Sequence, residues 1–84
     1  MKLRKGDLLV VEWLDAYGET HLAWIEDDEI DLKGRYRVSS SGFYVGQTKA
    51  YLIIAGDTGP GASGRVFRVP LGCVEKVRKV AIKN

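Results

Sequence analysis

Seven side chains have the chemistry to hold a polyanion: Arg35, Tyr36, Arg37, Tyr44, Lys49, Arg65 and Arg68. Arginine and lysine neutralise phosphates, and a tyrosine ring offers a face on which a base stacks. These residues interleave bases with aromatics, as single-stranded nucleic-acid binding requires. They do not form one clean platform. On a strand with alternating faces Arg65 and Phe67 point the same way, whereas Val66 and Val69 do not share a face. A solvated barrel surface is also rich in arginine and lysine, so the competing explanation is a charged surface without a ligand. The opposite chemistry sits upstream, where Glu26, Asp27, Asp28, Glu29 and Asp31 place five carboxylates in six residues. Such a run is solvated or meets bases, and Lys33, Arg35 and Arg37 follow directly. Its spacing is not that of a calcium loop and no glycine bends it. It therefore reads as an exposed acidic loop, with Glu26, Asp27, Asp28 and Glu29 as candidate contacts to another subunit or partner.

Catalysis has little to work with. His21 is the only histidine and lies beside apolar residues, outside any Ser/His or Cys/His pattern. Ser63 stands between Ala62 and Gly64, which is not a nucleophile elbow. The glycine-rich stretch 56–64 lacks the Lys-Ser/Thr and the following helix of a phosphate loop. The sequence thus points away from an enzyme and offers no catalytic residue, metal site or cofactor site. Cys73 is the only cysteine, which excludes a disulfide framework. It reads as a small buried apolar side chain.

The elements that must carry these residues are mostly strands. Eighty-four residues make one domain, 1–84. A basic N-terminal segment, 1–6, holds Lys2, Arg4 and Lys5 on a mobile or edge stretch. Residues 8–14 read as a strand, apolar on both alternate faces and so expected to be buried on both. Residues 15–20 read as a turn. Residues 21–25 form a short apolar segment, either a strand or a loop whose Trp24 caps the core. Residues 35–38 and 43–46 are strand-like around Ser39-Ser40-Ser41-Gly42, a turn or, preferably, a bend in one long strand. A hairpin leads through 47–49 into the apolar run 50–55. A flexible loop, 56–64, precedes a strand at 65–69. Pro70-Leu71-Gly72 makes a tight turn of 3₁₀ type. In the tail, Cys73, Val77, Val80 and Ala81 have helical spacing, while β-branched content and a barrel's need for a closing strand favour strand. The expected fold is all-β: a five-stranded, strongly bent small barrel.

Charge and apolar surface bear on partners. The formal net charge of +2 hides an asymmetry, −6 over residues 1–31 and +8 over residues 32–84. Such a separation attracts polyanions, or lets subunits meet through opposite patches, unless the halves interleave in the fold. A barrel this small has one interior, so the surplus apolar side chains of 8–14 and 50–55 are expected to be covered by loops, tail or a second subunit. A homo-oligomer, including a ring, is the expectation. The first residues lack the apolar core of a signal peptide and no apolar run is long enough to span a membrane, so a cytoplasmic location is expected.

Several stretches together are similar to a group of small uncharacterised bacteriophage proteins. They are Val10-Val11-Glu12-Trp13-Leu14-Asp15-Ala16, Trp24 before the acidic run, Ser41-Gly42-Phe43, and Val69-Pro70-Leu71-Gly72-Cys73-Val74 with Val77 and Val80. The likeness covers about residues 8–80 and rests on short apolar motifs. It implies an SH3-like or Sm-like small barrel, and a host-cell cytoplasm for a phage-encoded chain. Sm-like proteins assemble into rings by strand pairing and bind RNA. Gly42–Val45 and Leu71-Gly72 resemble their two motifs. Leu71 replaces an expected nucleotide-contacting base, however, and the Asp and Asn of the first motif have no counterpart near Thr48 and Leu52. The resemblance thus implies a non-enzymatic, homo-oligomeric RNA- or DNA-binding protein. The alternative is an SH3-like interaction or assembly module that binds no nucleic acid.

Overall fold

The computed structural model describes residues 2–15, 24, 26–30 and 36–81. Five antiparallel strands form one sheet: β1 (Leu8–Asp15), β2 (Tyr36–Gln47), β3 (Tyr51–Gly59), β4 (Ala62–Pro70) and β5 (Val74–Lys79). Their order is β4-β3-β2-β1-β5. The fold is all-β, and the sheet curls without closing, so β4 and β5 are its edges. Short 3₁₀ turns occupy Asp27–Glu29 and Leu71–Cys73.

The curl comes from β2. It pairs with β1 from Tyr36 to Phe43 and with β3 from Phe43 to Gln47, so Phe43 alone belongs to both ladders. This is the single long strand that the bend predicts. Ser39–Gly42 nevertheless stays in regular register with β1, and the irregularity falls later, between Tyr44 and Gly46. Gly42 serves packing: a Cβ there would lie 3.0 Å from the Ala55 carbonyl oxygen. The folded-over halves enclose Leu9, Val11, Trp13, Leu52, Ile54 and Val69. Trp13 buries its ring while its Nε1–H donates to Ser40 Oγ at 3.0 Å, which satisfies the indole's only donor.

Four expectations are corrected. β1 is not buried on both faces: Leu9, Val11 and Trp13 are buried, whereas Leu8, Val10 and Leu14 are only half-buried. The curled sheet has one interior, and nothing described covers its outer face. The stretch 56–64 is not a loop. β3 continues to Gly59, β4 starts at Ala62, and only Pro60 and Gly61 make the turn. Pro60 fixes its own φ, and Gly61 takes φ +71°, as a tight turn with glycine in its third position demands. The N-terminal segment is tied down. Leu3 packs on the core, Gly6 N–H donates to the Tyr44 carbonyl at 2.9 Å, and Lys5 Nζ donates to the Gly59 and Ala62 carbonyls at 3.1 and 3.5 Å. Finally, Trp24 caps nothing, being 92% exposed.

The tail is strand, with Val77 opposite Val11. The 3₁₀ turn begins one residue later than the sequence suggests, and Cys73 within it is half-buried against the core. Residues 16–20 of the expected turn, and most of 21–25, lie outside the described residues. No described helix is long and apolar enough to cross a membrane.

Candidate nucleic-acid interface

The predicted phosphate-binding residues do not gather at one place. Arg35 lies outside the described residues. Tyr36 is exposed at the start of β2, opposite Asp15. Arg37 is next to it, but its Nε donates to Glu75 Oε1 on β5 at 3.1 Å, so it staples two strands. Tyr44 is half-buried and packs on the core, which removes its ring as a stacking platform. Arg65 is exposed, yet its Nε and Nη2 donate to the two carboxylate oxygens of Asp57 at 2.9 and 3.1 Å. This bidentate pair holds the Asp57 carboxyl below its usual pKa and raises that of Arg65. The acidic residues Glu26, Asp27, Asp28 and Glu29 are all exposed in and before a 3₁₀ turn, and no ion pair among the described residues reaches them.

Two of the predicted cations remain available and lie at the same end of the sheet. Lys49 sits in the connection between β2 and β3, and Arg68 sits on β4. Both are exposed, and neither has a carboxylate within ion-pair distance among the described residues. Tyr51, two residues after Lys49 at the start of β3, is 41% exposed. Tyr51 opposes Pro70, and Arg68 opposes Ile53, so Tyr51 and Arg68 share a face as diagonal neighbours, about 7–8 Å apart in such a ladder.

The turn that presents this group is firmly held. Thr48 Oγ1 accepts from the Ala50 and Tyr51 amides at 3.1 and 3.0 Å, and Thr48 N–H donates to the Tyr51 carbonyl at 2.9 Å. The Leu71 amide then donates to the Ala50 carbonyl at 2.8 Å, which ties the β2–β3 connection to the turn that follows β4. An aromatic ring on a rigid turn, near two cations that meet no described carboxylate, can stack a base while the cations neutralise the phosphates beside it. Tyr51 was hidden from the sequence reading because it opens the apolar run 50–55 and looked like core. Its alternation with buried Leu52 and Ile54 is the signal that places it outside.

No family model, curated protein or solved structure matches the chain.

Proposed function

We propose that the protein is a non-enzymatic small-barrel module that binds single-stranded nucleic acid, RNA in the first instance, at the Lys49–Tyr51–Arg68 surface. One observation carries this: an exposed tyrosine near two cations that no described carboxylate neutralises, on a turn fixed by Thr48. Tyr51 stacks a base and the two cations meet flanking phosphates. Arg37 and Arg65 are engaged by carboxylates and contribute less. The charge of +8 over residues 32–84 favours approach of a polyanion.

The test is fluorescence anisotropy with short labelled RNA and DNA strands of mixed sequence at low salt. Tyr51→Ala is expected to weaken binding about 5- to 100-fold, the range for loss of one base-stacking ring. Arg37→Ala is expected to change it far less. Equal loss in the two variants would contradict the assignment.

A second reading has its own support. The acidic Glu26–Glu29 stretch is exposed and no described strand pairs with the outer sides of β4 and β5, so an assembly module that pairs with copies of itself is consistent with this chain. Neutralising Glu26, Asp27, Asp28 and Glu29 together would then lower the solution mass without touching the Tyr51 surface. An unchanged mass would remove these residues from the contact.

A further inference from the structure

Past Ala55 the β3–β4 hairpin parts from β2, whose pairing with β3 ends at Phe43–Ala55. A cleft of about 350 Å³ opens in the wedge. Ser40 and Ser41 line it from β2, Ile54 and Gly56 from β3, Arg65 and Phe67 from β4. The volume is in the range that accommodates a small ligand.

Three features of its lining are unusual. Arg65 has φ +52°, a left-handed conformation that non-glycine side chains seldom adopt and that is enriched where strain serves binding. The conformation is used: the guanidinium lies across β3 and is gripped by Asp57. Gly56 makes room for it, because a Cβ at that position would sit 2.8 Å from Arg65 Cζ. Phe67 leaves 43% of its surface exposed although its ring is 5.7 Å from that of Trp13, centroid to centroid. One aromatic face is thus backed by the core and another is open. Ser40 faces the core side beside Val11, accepts from Trp13 and retains its own O–H as a donor.

Charge decides what kind of ligand fits. Arg65 and Asp57 neutralise each other, so the cleft does not select for a phosphate. What it offers is a stacking ring, the Ser40 hydroxyl and a guanidinium whose charge is already met by Asp57. We propose that this cleft binds a nucleoside unit. The heterocycle lies against Phe67 and its edge meets the Ser40 hydroxyl, with the sugar on the Arg65 side of the wedge. A free nucleoside and an unstacked nucleotide of a bound strand present the same chemistry. Only the second source rests on the nucleic-acid function proposed above.

The experiment is a titration of the intact ¹⁵N-labelled chain with adenosine, guanosine, cytidine and uridine, with ribose as control, followed by amide shifts. At least one nucleoside is expected to shift Ser40, Ser41, Gly56 and Phe67 with a Kd of order 1 mM, unaltered between about 50 and about 200 mM salt. Phe67→Ala is expected to weaken it about fivefold or more. Phe67→Leu, which keeps an apolar side chain against Trp13, is expected to weaken it likewise and guards against a variant that fails to fold. Absence of nucleoside shifts at these amides, or equal shifts with ribose, would overturn the proposal even if RNA still binds at Tyr51. Nucleoside binding here in a protein that ignores every oligonucleotide would uphold the cleft, identify the free nucleoside as its ligand and sink the wider function.

Discussion

Gly42 and Gly56 show how differently two glycines of one sheet are constrained. A Cβ on Gly42 meets the Ala55 carbonyl and Ile54 Cβ at 3.0 and 3.2 Å, in the packed middle of the sheet. Gly42→Ala is therefore expected to cost about 1–3 kcal/mol in urea unfolding, as overpacking does. A Cβ on Gly56 meets only the end of a flexible arginine, so Gly56→Ala should leave the unfolding midpoint nearly unchanged while pushing the guanidinium off Asp57. Asp7 supplies a pH-dependent prediction. Its carboxylate accepts from the Arg4 amide at 2.7 Å and lies 3.4 Å from Lys79 Nζ. The Arg4 bond chiefly, with Lys79 assisting, holds its carboxyl below the usual carboxylate range. A carboxyl with a depressed folded pKa stabilises the fold above its unfolded value, and this is lost as pH falls through the folded one. Asp7→Ala should thus lower Tm at neutral pH, with the difference from the parent vanishing in strong acid. A difference that persists there would assign the effect to something other than the charge.

The strands rich in apolar and β-branched residues are legible in the sequence, and those without them are not. Residues 8–14 and 50–55 announce β1 and the first half of β3 as apolar runs, while the alternation that buries Leu9, Val11, Trp13, Leu52 and Ile54 becomes visible only in the fold. Val74 and Val77 made β5 readable although helical spacing competed. The distal part of the hairpin carries Gly56, Asp57, Thr58, Gly59, Ser63 and Gly64, residues with poor strand propensity and no core contact. Backbone pairing, the Lys5 bonds to the Gly59 and Ala62 carbonyls and the Arg65–Asp57 pair hold that part, and composition shows none of these, so the stretch reads as a loop. The same blind spot hides the Arg65–Asp57 pair: the register sets Asp57 opposite Gly64, next to Arg65, and only then can the guanidinium reach the carboxylate. It hid Tyr51 for another reason: an apolar run does not say which alternate face looks outward. Lys49 and Arg68, by contrast, were identified by type alone. The hairpin makes a prediction of its own. Gly61 holds φ +71° at the tip, so Gly61→Val should cost about 1–2 kcal/mol and speed amide exchange beyond Ala55 more than in β1.

At the scale of the molecule, a small curled sheet separates two kinds of surface. Near Tyr51, Lys49 and Arg68 meet no carboxylate among the described residues. At the wedge between β2 and the hairpin, Arg65 is neutralised by Asp57. The first should respond to salt and the second should not. No described strand pairs with the outer sides of β4 and β5, and if copies pair there light scattering will show a mass above the 9.3 kDa of one chain, whereas a clean monomer would remove the ring from consideration. The central claim is that the Tyr51 surface binds single-stranded nucleic acid through phosphate neutralisation and stacking. The measurement that tests it most directly is RNA affinity as a function of salt, in the parent chain and in Tyr51→Ala. Two phosphate contacts on a single strand predict a slope of log K against log salt of about −1.4, or about a sevenfold loss between about 50 and about 200 mM. Tyr51→Ala should lower the affinity at every salt and leave the slope unchanged. No binding at low salt, or binding that ignores both the salt and Tyr51, would contradict the account.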